Sequence, residues 1–151
     1  MPPNVPELTA HLGYWLRHVS NHVSHVFARK LAMKDVTVAE WVLMRVLHGR
    51  EPMAPSQAAD DMGMTRGAIT KLADRLIAKS LITREASPDD GRSQTLCLTA
   101  QGANLVPELA ALAEQNEAEC FAHLSDRDRG ALHRILKDTV TRLGLVAMPI
   151  D

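Results

Sequence analysis

Apolar residues along this chain change their period several times, and each change marks an element. Between about Glu7 and Lys34, Leu12, Leu16, Val19, Val23 and Val26 recur at alternating steps of four and three. That spacing draws a continuous apolar stripe along one long helix. Thr37-Val-Ala-Glu40 then has the form of a capping box. The helix it opens carries Val38, Trp41, Val42 and Leu47 and ends near Gly49. Pro52 and Pro55 bracket a connector with room for a stub of strand. A short helix over Ser56–Met62 follows, then a turn at Gly63, then a helix over Arg66–Lys79 with Thr65 as its cap. Leu81–Glu85 and Gln94–Leu98 are β-rich runs, and the Pro, two Asp and Gly between them are hairpin-loop chemistry. Thr99 caps another long helix, near Ala100–His123, in which Pro107 predicts a bend or a break. Ser125-Asp-Arg-Asp128 caps a last helix to about Leu143, with Leu132, Ile135, Leu136, Val140 and Leu143 on one side.

The expected fold is mainly α with a small β-wing, in the order α-α-α-α-β-β-α-α. Residues 37–99 form a winged helix-turn-helix lobe. Residues 1–36 and 100–151 carry more apolar surface than so small a lobe can cover, so they are expected to interlock with a second copy as a helical dimerisation region. At 151 residues the whole reads as one intertwined domain.

Composition narrows the chemistry. Hydrophobic residues make up 46% and charged residues 23%, as in an ordinary globular protein. The formal net charge is −1, so any nucleic-acid binding must come from local charge. From Arg66 to Arg92 the net is +2, and the remainder carries −3. Cys97 and Cys120 form neither a disulfide framework nor a Cys-rich zinc site. No signal peptide and no bilayer-spanning apolar run is read, so a cytoplasmic protein without membrane association is expected.

Ala59, Gly63 and Ile69 have the spacing a helix-turn-helix needs: a small contact residue, a turn and a locking apolar residue. In the second helix of that pair, Ile69, Leu72, Ala73 and Leu76 form the buried side. Arg66, Gly67, Thr70, Lys71 and Asp74 form the other, with Arg75 at its edge. A helix entering the major groove presents such short polar and basic groups near its N-terminus. Arg66 suits a guanine edge. Thr65, Thr70 and Lys71 suit phosphate or mixed contacts. Ser56 offers phosphate a hydroxyl and a backbone N–H. Arg92 sits at the hairpin tip beside Ser93 and Gln94, where a basic side chain suits the minor groove. Asp90 stands close enough in sequence to orient or neutralise it. Each half has a plainer reading, as a solvated amphipathic helix and as a surface loop with an Asp–Arg pair.

Asp90-Gly-Arg92-Ser-Gln-Thr-Leu96-Cys-Leu98-Thr99-Ala-Gln-Gly102 resembles the D-x-R-x-x-x-L-x-L-T-x-x-G wing pattern of the MarR family of bacterial transcriptional regulators. Thr65-Arg-Gly-Ala-Ile-Thr-Lys-Leu-Ala-Asp-Arg-Leu and Leu81-Ile-Thr-Arg84 are similar to that family's recognition helix and first wing strand. The flanking helices match its order. The resemblance implies a homodimer on double-stranded DNA with an inverted-repeat operator, mostly repressing. It also implies release by a small, often phenolic or lipophilic, effector. Arg66, Thr70 and Lys71 are carried over to the major groove and Arg92 to the minor groove. Ser56, Thr65 and Arg84 are carried over as backbone contacts.

No cofactor is expected. A ligand pocket is expected between the dimer helices and the DNA-binding lobe, at Trp15, His18, His22, Trp41 and Met44; ordinary core packing is the plainer reading of both Trp. His11, His18, His22 and His25 share one face of the first helix at spacings of seven, four and three. Histidines at i, i+4 can chelate zinc or answer to pH, while a polar rim of the dimer interface is the plainer reading. Cys97 and Cys120 read as small apolar fillers rather than sensors. Two rivals stand beside the ligand-responsive repressor. One is a DNA-binding regulator without small-molecule control. The other is a metal-responsive regulator or small metal enzyme built on the His cluster, though no acid, base and nucleophile constellation supports catalysis.

Overall fold

The computed structural model describes residues 2–87 and 89–145. Pro88 of the hairpin loop and residues 146–151 of the expected helical region lie outside the described residues. Among the described residues six α-helices and one two-stranded sheet follow in the expected order: α1 (Leu12–Ala32), α2 (Val38–Leu47), α3 (Pro55–Met62), α4 (Arg66–Ala78), β1 (Ile82–Ala86), β2 (Gln94–Leu98), α5 (Ala100–Cys120) and α6 (Asp126–Arg142).

The caps explain most boundaries. Thr37 and Glu40 form the full capping box of α2. Thr65, Thr99 and Ser125 each accept a backbone N–H from the first turn of α4, α5 and α6. Pro55 occupies the first turn of α3, where its missing N–H costs nothing.

The first helix departs from expectation. Leu8–Ala10 forms a separate 3₁₀ turn, and His11 is extended, with φ −107° and ψ 132°. The Trp15 indole N–H donates to the Thr9 carbonyl at 2.9 Å, taking an acceptor that a continuous helix would have used internally. His11 therefore leaves the helix, and the expected four-histidine face is reduced to His18, His22 and His25.

Pro107 does not break α5, which runs unbroken through it. Pro107 and Ala103 are both exposed, so water can satisfy the Ala103 carbonyl that loses its helical donor.

The core lies in the winged lobe. Leu43 and Met44 of α2, Met62 of α3, Ile69 and Leu76 of α4, Ile82 and Leu96 of the wing and Leu109 of α5 are all buried. Leu31 anchors the C-terminal end of α1 to this core. The strands pair antiparallel, Ile82 against Leu98 through Ala86 against Gln94. Met53 adds the expected stub, exchanging hydrogen bonds with Leu96 at 2.9 and 2.7 Å.

The Leu98-Thr99-x-x-Gly102 run has a physical reason. Thr99 receives the Gly102 N–H on its hydroxyl at 2.9 Å and donates that hydroxyl to the Ser80 carbonyl at 2.7 Å. The first turn of α5 thus presses against the end of α4. A Cβ on Gly102 would collide with the Leu81 carbonyl, so only glycine permits the approach.

Candidate nucleic-acid interface

Ala59 is buried where α3 meets α4, and Gly63 closes α3 in the left-handed region at φ 65°. Met64 then donates to the Ala59 carbonyl at 2.9 Å, turning the chain toward Thr65. Thr65 starts α4, whose apolar side (Ile69, Leu72, Ala73, Leu76) is buried. Three residues of its first two turns, Arg66, Thr70 and Lys71, are exposed together. Thr70 returns its hydroxyl to the Arg66 carbonyl at 3.0 Å. Neither Arg66 nor Lys71 makes an ion pair among the described residues. Ser56 is exposed in the first turn of α3.

The wing presents the second basic element. Asp90 does not engage the Arg92 guanidinium. Its carboxylate accepts the Arg92 backbone N–H at 3.0 Å and the Ser93 hydroxyl at 3.1 Å. Asp90 therefore shapes the loop and leaves the Arg92 side chain outward and unpaired among the described residues. The Asp–Arg neutralisation that the sequence left open is not formed. Gln94 opens β2 beside Ala86.

Two other arginines are ion-paired within the chain while staying partly exposed. Arg84 of β1 pairs with Asp74 of α4 at 2.8 Å, tying the wing to α4. Arg75 turns toward α2, donating to Glu40 at 3.3 Å and to Thr37 at 3.1 Å. Arg75, expected at the outer edge of α4, is half-exposed there, with its guanidinium drawn toward α2. Sequence reasoning missed Glu40 as its partner. The capping box explained Glu40 locally and gave no sign of a contact 35 residues away. Burial pushes the Glu40 carboxyl up. The Thr37 N–H, the Lys79 hydrogen bond and the charges of Lys79 and Arg75 outweigh it and hold the carboxyl below the usual carboxylate range.

The expected ligand pocket is only partly assembled. Trp15, His18 and His22 line an open cavity of about 810 Å³ with Phe121, Leu132 and Leu136. Trp41 and Met44 are elsewhere: Met44 is fully buried in the winged core and Trp41 packs against it. Their apolar contacts inside the lobe outcompete a shared site. Tyr14 stacks edge-on to His18 at 4.7 Å, which sets that ring. His123 and Cys120 also line this cavity, while Cys97 is half-buried on β2 opposite Thr83. Among the described residues, no three His, Cys, Asp or Glu side chains are grouped to hold a metal ion. No helix among them is long and apolar enough to cross a membrane.

Helix-turn-helix, docked wing and flanking helices together define a winged helix-turn-helix protein. Residues 34–93 match the model of the MarR family. The chain is 28% identical over 131 residues to a putative transcriptional regulatory protein for the hcr operon of Thauera aromatica, covering 86% of this chain and 79% of that one. It superposes on a probable transcriptional regulator from Pseudomonas aeruginosa with a TM-score of 0.78 and 26% identity, over 88% of this chain and 99% of that one. The fold of Bordetella bronchiseptica BpsR, whose DNA binding is regulated by 6-hydroxynicotinic acid, is similar at a TM-score of 0.78 and 21% identity, over 90% and 97% of the chains. The match to the MarR family covers residues 34–93, and over most of its length the chain is similar to winged-helix transcriptional regulators.

Proposed function

We propose that the protein is a sequence-specific DNA-binding regulator, a homodimeric repressor released from a palindromic operator by a small aromatic or lipophilic ligand. One observation carries the reading. Arg66 and Lys71 on the exposed start of α4, and Arg92 on the wing, are three cations without internal ion pairs on the two elements that enter grooves. Arg66 is assigned to a guanine edge in the major groove, with Thr70 and Lys71 beside it. Arg92 is assigned to the minor groove, flanked by Ser93 and Gln94. Ser56, Thr65 and Arg84 are assigned to the backbone. Arg75 is assigned to the protein rather than to DNA.

The homodimer reading rests on unsatisfied apolar surface. Leu12, Trp15, Leu16 and Val19 on α1 and Ile135, Leu136 and Val140 on α6 are exposed. Leu12, Trp15, Leu16, Val19 and Leu136 gather around one open apolar cavity, and a large exposed apolar patch marks an interaction surface. A second copy covers it and sets two recognition helices on the order of 34 Å apart. The cavity under Trp15, apolar with imidazoles at His18, His22 and His123, is the place for the effector.

Selection of bound sequences from a random DNA pool tests the proposal. An enriched inverted repeat supports both the DNA reading and the dimer; no enrichment contradicts them. A melting shift with loss of operator binding, across a panel of aromatic acids and lipophilic phenols, tests the effector.

A further inference from the structure

Glu40 is the third residue of α2 and is fully buried. A buried carboxylate is costly unless surrounded by donors. Its Oε1 accepts from the Thr37 N–H at 2.8 Å and from Lys79 Nζ at 3.1 Å. Its Oε2 accepts from Arg75 Nε at 3.3 Å. The Thr37 hydroxyl closes the set, accepting the Glu40 N–H and Arg75 Nη2, each at 3.1 Å. Lys79 also donates to the Asp35 carbonyl.

Arg75 and Lys79 are four residues apart, so they leave the end of the recognition helix on one face. Both converge on the N-terminus of α2. The apolar side of α4 sets its depth, but burial is non-directional and leaves the roll of a helix loosely fixed. Hydrogen bonds from two cations to one carboxylate are directional and remove that freedom. A roll of about 10° carries a side-chain tip about 6 Å from the helix axis through about 1 Å. That is enough to spoil a bidentate contact to a base edge.

We propose that Glu40 is a positioning residue for DNA recognition: through Arg75 and Lys79 it fixes the roll of α4 and so aims Arg66 and Lys71 at the bases. The proposal rests on the DNA-binding reading above. It gives Arg75 the role of an internal strut and makes the capping box of α2 part of the reading head.

The test uses the full chain and a duplex selected by the wild type. Affinities for that duplex and for a scrambled one are measured at fixed salt for wild type, Glu40→Gln, Arg75→Gln and the double variant, with melting of each. Glu40→Gln keeps the side-chain length and an oxygen for the Thr37 N–H, but turns an amide toward Arg75. The proposal expects each single variant to lose about tenfold on the selected duplex. Affinity for the scrambled duplex stays within about twofold, because phosphate contacts persist. The double variant is expected to be no worse than Glu40→Gln alone. A wild-type ratio of selected to scrambled affinity in Glu40→Gln overturns the proposal, as does a double variant whose loss is the product of the singles, which makes Arg75 a direct DNA contact. If Glu40→Gln does not fold, Arg75→Lys decides. It keeps the charge but replaces the planar fork, whose Nε and Nη2 reach Glu40 and Thr37 separately, with a single ammonium point, so selective loss supports the strut and a wild-type ratio overturns it. A wild type that selects no DNA overturns the functional reading, and this proposal with it.

Discussion

In the winged lobe, Leu43, Met44, Met62, Ile69, Leu76, Ile82 and Leu96 are buried by the chain itself, whereas in α6 no residue is buried and Ile135, Leu136 and Val140 face outward. The same contrast divides α1. Leu31 at its C-terminal end sits in the lobe's core, while Leu12 and Trp15 at the other end are 81% and 50% exposed. One region closes on its own core and presents cations; the other leaves hydrocarbon exposed. Hydrophobic burial drives folding of the first within one chain and, on this account, association of the second between two. Within the second region α1 and α5 share a polar link: Asn116 of α5 donates to the Val23 carbonyl of α1 at 3.1 Å, and Lys30 binds Asn116 and Glu119 at 3.2 and 2.9 Å. It ties α1 to α5 between Val23 and Lys30, next to the core.

The sharpest way to break the comparison is to place a charge on the open face. Leu136→Glu is expected to leave the winged lobe folded, convert the dimer to monomer by light scattering, and weaken operator binding about 100-fold or more as the second half-site is lost. A monomer already present in the wild type would remove the distinction. Next in size is Gly102→Ala, inside the finished lobe. The new methyl meets the Leu81 carbonyl, and urea unfolding is expected to show a loss of about 1–3 kcal/mol.

Arg66→Ala tests the presented cations and should cost about 1–3 kcal/mol of operator binding while relaxing one position of each half-site. Arg92→Ala should weaken binding across sequences and reduce the salt slope by about 1, read from affinity against salt concentration. The smallest effect is on acid stability. The folded Glu40 carboxyl lies below its unfolded value, so its contribution is fully present above the unfolded pKa and is lost as pH falls through the folded one. Chemical unfolding across the acid range should therefore show a flatter decline for Glu40→Gln than for wild type.

Legibility in the sequence followed the range of the interactions. Thr37, Thr65, Thr99 and Ser125 announce their helices because a cap acts within three residues. Ala59, Gly63 and Ile69 fixed the turn for the same reason, and the wing strands came within one residue of their observed ends. Contacts between distant residues stayed hidden. Periodicity carried α1 back to about Glu7, but the Trp15 indole ends it at His11. Trp41 and Met44 looked like pocket walls because aromatic and thioether side chains serve both purposes; only the packing of α2 shows Met44 in the core and Trp41 against it. Arg75 looked outward on a helical projection, which cannot register a carboxylate brought in from another helix. Pro107 was read from its intrinsic cost, and its exposed position removes much of that cost.

The most direct measurement is the mass of the complex between the full chain and its selected duplex by native mass spectrometry. Two 16.6 kDa chains on each inverted repeat, reduced to weak single-chain occupancy by Leu136→Glu, is the result expected from a finished reading lobe joined to an unfinished dimer face. One chain per duplex in the wild type, or no complex at all, would contradict it.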